Sequence, residues 1–529
     1  MSRSLFRSTS VVGGMTLLSR VFGLLRDMVF SRFFGAGMVM DAFFVAFKIP
    51  NFMRRLFGEG AFSQAFVPVL SEYKTTRKPE EVRELAEATA GTLGLLLLVI
   101  TIVGVLAAPV LIVFFAPGWF MDEPDKYTLA TSMLRLTFPY LLFISLTALA
   151  GGILNTYGRF GSPAFTPVLL NLVLIGFAIL VAPASANPGV ALAAGVFVAG
   201  LVQLLFQVPF LWRIGFRPRF RWGGSHKGVR KIGRLMLPAL FGSSVAQVNL
   251  LLDTLIASFL ITGSISWLYY SDRLMEFPLG VFGIALATVI LPGLSKNHAS
   301  QEKEEFSAML DWALRLVCLI AVPAAIGLLV LAKPMLATIF QYGAFDGRDV
   351  HMAGYSLMAY ALGLLGFTLV KVLAPGYFSR DDTKTPVRIG LIALAVNLAL
   401  NLFFVITMTQ TGFEAPHAGL ALATSLAAFV NASLLYRGLR REGVYRPGPG
   451  WNGLILKVLL ASALMAIGIA YLAGPLDPWL AATGAKRAFW LLGCVVAGAV
   501  VYFSVLATLG IRPANFRSGL RGKSGGPSV

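Results

Sequence analysis

Apolar residues run along this chain in blocks of about 20, separated by short polar stretches, rather than alternating over the roughly 10 residues of a barrel strand. The blocks fall at about 11–34, 37–57, 90–115, 129–155, 165–183, 191–212, 232–260, 266–292, 312–332, 353–375, 386–408, 417–437, 454–473 and 488–509. As helices, blocks of that length cross the hydrocarbon core of a bilayer. The pattern predicts an all-α polytopic membrane protein with 14 transmembrane helices. The first block reads as a span and not as a cleavable signal peptide, because no A-x-A-like site follows "MSRSLFRSTSVVGGMTLLSR" and apolar sequence continues beyond it.

The polar stretches sort by charge. Those after blocks 2, 6 and 12, "YKTTRKPEEVR", "WRIGFRPRFRWGGSHKGVRKIGR" and "RGLRREGVYR", are basic, as is the tail "IRPANFRSGLRGK". Their counterparts "PGWFMDEPDKY", "APASANPG", "ITGSIS" and "TQTGFEAPH" are poor in Lys and Arg. Roughly 28 Lys/Arg fall on one side and about 6 on the other, which puts both termini in the cytoplasm. The long basic stretch 213–234 lies midway through the first twelve blocks. A weak internal echo accompanies it: block 2 passes through "KIP" into "FVPVLSEYK", and block 8 through "EFP" into "ILPGLSKN". The reading is a duplicated architecture. An N-terminal lobe (1–222, helices 1–6) and a C-terminal lobe (223–440, helices 7–12) are followed by 441–529, with helices 13 and 14 and a basic tail. Transporters are commonly built from such repeats, with the substrate site at the repeat interface.

Composition agrees. The 529 residues are 57% hydrophobic and 13% charged, with a mean hydropathy of +0.76, against about 25% charged in a soluble domain. A net charge of +19 raises nucleic-acid binding, but its placement between apolar blocks argues for membrane topology instead. Cys318 and Cys494 both lie inside apolar blocks and offer no disulfide framework or thiolate metal site.

The informative anomaly is charge inside the apolar blocks. Block 1 contains "SRVFGLLRD", with Arg20, Arg26 and Asp27. Block 2 carries Asp41 and Lys48, then Asn51, Arg54 and Arg55 at its cytoplasmic end. Block 8 carries Asp272, Arg273 and Glu276 in "YSDRLMEFP". Each charge near the bilayer centre costs at least about 2.5–3.5 kcal/mol. Two readings stand. Arg20, Arg26, Lys48 and Arg273 pair with Asp27, Asp41, Asp272 and Glu276 in a network that locks helices together. Alternatively, several arginines, whose planar forks suit bidentate phosphate contacts, form a site for a multiply charged phosphate group. Arg54 and Arg55, with no acid before Glu59, favour the second. The turn "FGAGM" joins blocks 1 and 2, and Pro50 and Pro278 kink blocks 2 and 8, either as static bends or as hinges.

No enzyme motif is present. There is no G-x-x-x-x-G-K-[ST], H-E-x-x-H or G-x-S-x-G; "RDDTK" (380–384) reads as a solvated turn, and the four histidines read as surface residues in or beside loops. Energy then comes from an ion gradient, the membrane potential or the substrate gradient. Asp253, Asn397, Asn401 and Thr424 make one candidate Na⁺ shell, or else interhelical hydrogen bonds.

Over nearly its whole length the chain resembles the lipid II flippases of bacterial peptidoglycan synthesis, the MurJ/MviN family, of the Gram-negative type. The resemblance is carried by "SRVFGLLRD", "FGAGMVMDAFFVAFKIPNFMRRLFGEGAFSQAFVPVLSEY", "SWLYYSDRLMEFPLGVFGIALATVILPGLSK" and "KVLAPGYFSRDDTKTPV". It implies two six-helix lobes around a central cationic cavity, with helices 13 and 14 forming a groove for the lipid tail. It implies a substrate, undecaprenyl-pyrophosphate disaccharide pentapeptide, moved from the cytoplasmic to the periplasmic leaflet of the inner membrane. Arg20, Arg26 and Arg273 match the cavity arginines placed to hold the pyrophosphate, and Asp41 matches the essential cavity aspartate. Arg54 and Arg55 match basic residues near the cytoplasmic entrance; Ser19, Asn51, Ser266 and Glu276 match other cavity-lining positions. Asp253 matches one of two carboxylates of a sodium site, but Asn401 stands where the second is expected.

The resemblance further implies lipid II and membrane lipids as partners, contact with the peptidoglycan-synthesis machinery, a monomer, no cofactor, no nucleic acid, and Na⁺ or H⁺ as the coupling ion. Competing readings are an exporter of another polyprenyl-linked glycan and a multidrug/cation antiporter of the same superfamily. The latter needs a carboxylate-dominated, arginine-poor cavity. An enzyme acting on a polyprenyl phosphate needs a metal-binding or nucleophilic motif that the sequence lacks.

Overall fold

The computed structural model describes residues 3–55, 61–217, 219, 221–280 and 303–511. Helix is the only regular secondary structure among them. Ten helical segments are long and apolar enough to cross a membrane: Pro79–Leu106, Pro124–Thr156, Gly161–Ala184, Pro188–Arg213, Lys303–Ile339, Gly347–Phe378, Lys384–Gln410, Ala418–Arg441, Trp451–Ala473 and Gly484–Thr508. They fall on ten of the fourteen apolar blocks. The other four blocks are also helical in their described parts, over Arg3–Phe34, Met38–Arg54, Lys227–Ala257 and 264–280. Three of those four, the first, second and eighth, carry the anomalous charges. The "ILPGLSK" half of the internal echo and the basic tail lie outside the described residues.

The chain divides into two units. The first takes Met1–Ser266 and Tyr342–Phe345. Its helices are α1 (Arg3–Phe34), α2 (Met38–Arg54), α3 (Ala61–Thr76), α4 (Pro79–Leu106), α5 (Ala108–Phe115), α6 (Pro117–Asp122), α7 (Pro124–Thr137), α8 (Tyr140–Thr156), α9 (Gly161–Gly176), α10 (Pro188–Arg213) and α11 (Lys227–Ala257). Pro79, Pro124 and Pro188 each open a helix, where the missing N–H costs nothing. Glu80 and Glu81 complement the dipole of α4, and the Asn187 side chain caps α10 by accepting from Val190 N at 3.2 Å. α1 packs on α9, α2 on α7, α8 on α10 and α3 on α11. α3 lies in a stretch read from the sequence as a polar connection. It is too short to span, yet Phe62, Ala65, Phe66, Val69 and Leu70 recur at helical spacing and are all buried.

The second unit takes Trp267–Gln341 and Asp346–Val529. After the helix over 264–280 (α12) come α13 (Lys303–Ile339), α14 (Gly347–Leu373), α15 (Pro375–Phe378), α16 (Lys384–Gln410), α17 (Ala418–Arg441), α18 (Trp451–Ala473), α19 (Asp477–Ala481) and α20 (Gly484–Thr508). α14 packs on α13 and α17, α16 on α17, and α18 and α20 on each other and on α13. Small residues let α14 and α17 approach: a Cβ on Gly366 would stand 3.0 Å from Phe429 N, and one on Gly363 would collide with Ser425. Many outward residues are large and apolar, such as Leu456 (69% exposed) and Phe489 (76%), as expected of faces solvated by acyl chains.

The connections of the first unit meet in two sets, and contacts within one set recur in the second unit. In the first unit, those between blocks 1–2, 3–4, 7–8 and 9–10 come together. Ala344 N donates to Arg32 O (2.9 Å), Gly118 N to Ser258 Oγ (3.2 Å), and Thr262 Oγ1 to Glu123 Oε1 (2.9 Å). Gly35 turns α1 into α2 at φ +66, and a Cβ there would lie 2.6 Å from Ala344 O, so no other residue fits without strain. The connections 2–3, 4–5 and 6–7 form the other set, through Lys231–Glu72 (2.5 Å) and Lys74 Nζ donating to Thr156 O (2.7 Å). In the second unit, Arg380 pairs with Glu442 (2.8 Å), and Asp311 accepts from Tyr445 Oη and Trp451 Nε1, both at 2.8 Å. An up-and-down path would sort its connections in this way.

Candidate functional site

Arg26 and Asp27 lie in the last third of α1, which packs against α9, and both are out of water. Arg26 donates from Nε (3.0 Å) and Nη2 (2.7 Å) to Asp27 Oδ1, and from Nη1 to Asn171 Oδ1 on α9 (3.1 Å). Asn171 Nδ2 in turn donates to Ser19 O (3.2 Å). The guanidinium is thus held as an oriented plane, with its charge offset by the adjacent carboxylate. One and a half turns earlier, Arg20 is exposed and makes no hydrogen bond or ion pair with the described residues.

Asp41 sits in the first turn of α2 and is 1% exposed. It accepts from Ser266 Oγ (2.6 Å), Ser266 N (2.9 Å) and Gly263 N (2.7 Å), and pairs with Lys126 Nζ at 3.5 Å. Lys126 is itself 2% exposed, donates to Thr262 Oγ1 (2.8 Å), pairs with Glu123 and lies 5.0 Å from the Trp119 ring. Of the eight intramembrane charges that the sequence suggests could pair among themselves, Arg26 with Asp27 and Arg273 with Glu276 do so. Asp41 takes its cation from outside that set, in Lys126, which the sequence places in a polar connection. Lys48 donates to Thr254 Oγ1 (2.6 Å). Farther along α2, Arg54 Nε donates to Asn51 Oδ1 (2.8 Å), and Arg55 is exposed. Glu59 lies outside the described residues.

In the second unit, Arg273 is half-exposed, pairs with Glu276 at 3.2 Å and lies 5.5 Å from the Tyr269 ring. On the same helix, Trp267 Nε1 donates to Asp349 Oδ1 (2.8 Å), and its ring lies tilted at 5.0 Å from that of His417. His417 is fully buried, with Nε2 3.0 Å from Met352 O. This corrects the expectation of four surface histidines: an apolar α14–α17 contact encloses a residue that the sequence places at a helix start.

The candidate ion ligands are split. Asn401 Nδ2 donates to Asn397 Oδ1 (2.9 Å) and Asn397 Nδ2 to Thr424 Oγ1 (3.1 Å), all in the second unit. Asp253 is on α11 of the first unit. The three polar side chains form a hydrogen-bond chain between α16 and α17. No group of three or more His, Cys, Asp or Glu suited to a metal occurs among the described residues. Sequence reasoning missed Asn171 and Lys126. Each had a signal: Asn171 is the one strongly polar residue in its block, and Lys126 the one cation in a connection otherwise lacking them.

The comparisons with known proteins agree with this architecture. The family model described as lipid II flippase MurJ matches residues 30–485. A Vibrio cholerae protein named "Probable lipid II flippase MurJ" is 48% identical over 517 residues, covering 97% of each chain. One of the same name from Haemophilus influenzae is 48% identical over 510 residues, covering 94% of this chain and 98% of its own. A solved lipid II flippase MurJ in an inward closed conformation superposes with a TM-score of 0.78 at 27% identity, over 96% of this chain and 99% of that one. With a match that runs through both units and all of the charge-bearing helices, the chain belongs to the MurJ family of lipid II flippases.

Proposed function

We propose that this chain flips lipid II from the cytoplasmic to the periplasmic leaflet of the bacterial inner membrane by alternating access. The observation that carries the reading is near-half identity over the whole length to proteins of that name. Arg20, Arg26 and Arg273 bind the pyrophosphate: Arg20 as an exposed fork, Arg26 as one oriented by Asp27 and Asn171, and Arg273 as one steadied by Glu276. Ser19, Asn51, Arg54, Arg55 and Ser266 assist along the path, and Asp41 governs the end at which it is held by Gly263 and Ser266. Fourteen spans with both termini cytoplasmic fit the two sets of connections and the Lys/Arg bias. Two six-helix lobes and a C-terminal tail groove, acting as a monomer, complete the reading.

The driving force has the right sign. With the cytoplasm negative, moving an anion outward gains about 2.3 kcal/mol per charge per 100 mV. Where flipping also depends on sodium, Asp253→Asn should remove that dependence; where it does not, the potential suffices. The direct test is depletion in cells followed by measuring the leaflet in which lipid II accumulates. Accumulation in the cytoplasmic leaflet is expected. An unchanged distribution, with lipid II reaching the periplasmic leaflet at the normal rate, would overturn the assignment.

A further inference from the structure

Where connections 2–3, 4–5 and 6–7 of the first unit meet, a cavity of about 300 Å³ opens to the surface. Lys74, Arg77 and Arg83 line it together with Tyr157 and the apolar Val82 and Phe216. The basic groups are oriented rather than loosely gathered. Lys74 Nζ donates to Thr156 O (2.7 Å) and lies 4.2 Å over the Tyr157 ring, which packs edge-on to Phe216 at 5.3 Å. Gly215, at φ +79, lets the Arg83 guanidinium lie where a side chain would intrude: a Cβ there would be 3.1 Å from Arg83 Nη2. The acids nearby are mostly committed elsewhere, Glu72 to Lys231 (2.5 Å) and Glu84 to Arg221 (3.1 Å). Glu81 reaches Arg77 at 3.8 Å, so the three cations outnumber the acid that meets them.

The depth of the cavity narrows the ligand. Pro79 opens one candidate span, Tyr157 follows the end of a second at Thr156, and Ile214 follows the end of a third at Arg213. The first turns of α4 extend beyond its apolar block, so the cavity lies at the watery ends of these spans, within reach of lipid phosphates. Its three cationic side chains offer donors and no carboxylate of their own, the chemistry of a phosphate site. Burial also keeps the Tyr157 phenol above its ordinary pKa, against the nearby Arg83, so it remains a neutral hydroxyl.

We propose that this cavity binds a phosphate group, presented by an anionic membrane lipid or by a soluble phosphate compound. The site is separate from the arginines assigned to flipping and does not depend on that assignment.

The test uses the full chain purified in detergent. Arg77→Gln with Arg83→Gln removes two exposed charges without touching the core. Lys74→Gln is a second, independent variant, and Arg440→Gln with Arg441→Gln removes the same charge from the other unit. Bound phosphatidylglycerol is counted by native mass spectrometry, with phosphatidylcholine as the neutral control, and inorganic phosphate binding is measured by calorimetry. The wild type should hold one phosphatidylglycerol about tenfold more tightly than either cavity variant, as loss of a charge-assisted contact implies, while the second-unit variant behaves as wild type. Retention that millimolar phosphate does not displace identifies a lipid source. Phosphate binding lost in both cavity variants, without lipid selectivity, identifies a soluble one. If both cavity variants, shown folded by circular dichroism, bind lipid and phosphate as the wild type does, the proposal is wrong.

Discussion

At Arg26 the geometry does work that charge alone cannot. Three of its N–H groups are fixed by Asp27 and Asn171, in directions that a lysine ammonium on a flexible stem cannot reproduce together. Arg26→Lys should therefore fail to complement loss of the wild-type gene almost as fully as Arg26→Ala, and Arg273→Lys should behave alike. Wild-type growth supported by both Lys variants would replace a guanidinium clamp with diffuse attraction. Asp41 makes the complementary case. It and Lys126 are both out of water: Lys126→Met takes a cation from the buried carboxylate, whereas Asp41→Ala leaves Lys126 paired with Glu123 and strands the donors of Gly263 and Ser266. Lys126→Met should lower stability by about 3–5 kcal/mol and Asp41→Ala by less, while the double variant loses clearly less than their sum, read from denaturation in detergent. Full additivity would mean the pair is not coupled. The sequence makes the anomalous residues legible, because a charge in an apolar block stands out whatever it touches. Their partners are less so: Lys126 lies 85 positions from Asp41 and Asn171 lies 145 from Arg26, separations across which no local pattern operates.

Among elements, ten helices follow directly from apolar blocks, since hydrocarbon leaves no other partner for their backbone groups. What the blocks do not mark are helical extensions into water. α3, the first turns of α4 and the start of α13 are polar or mixed, and packing rather than lipid settles them. The α1–α2 turn is legible in "FGAGM", but its reason is not. Gly35 faces Ala344, carried by a connection more than 300 residues away that returns into the first unit. Gly35→Ala meets two costs at once, a left-handed backbone worth about 1–2 kcal/mol and a collision with Ala344 O. It should lower the detergent melting midpoint by several degrees, whereas Gly37→Ala, with nothing within 4 Å of its Cβ, should change it little. Equal midpoints would show that the turn relaxes freely.

For the whole molecule, a transporter that admits substrate alternately must expose residues that are sealed in any one state. Ser264 is a suitable reporter: it is 1% exposed, lies between Gly263 and Ser266 at the Asp41 contact, and donates only to a local carbonyl, Ile261 O. Arg20 is exposed on α1, and Leu456 is 69% exposed on α18 but faces where lipid belongs. In a background with Cys318 and Cys494 replaced by Ala, single cysteines at these positions should separate three conditions. Arg20→Cys should react with a small membrane-impermeant thiol reagent in native membranes, because water must solvate the charge it replaces. Leu456→Cys should stay unreactive there yet react once the chain is denatured, when the thiol meets water. Ser264→Cys should be unreactive at rest and gain reactivity when substrate or the membrane potential is changed, since a ligand shifts conformers only through differential affinity for them. The Asp41–Lys126 pair would then be a closure broken once per cycle. Were Ser264→Cys silent under every condition while flipping continues, that end of the first unit would remain shut throughout transport, and the buried carboxylate would be a fixed structural lock.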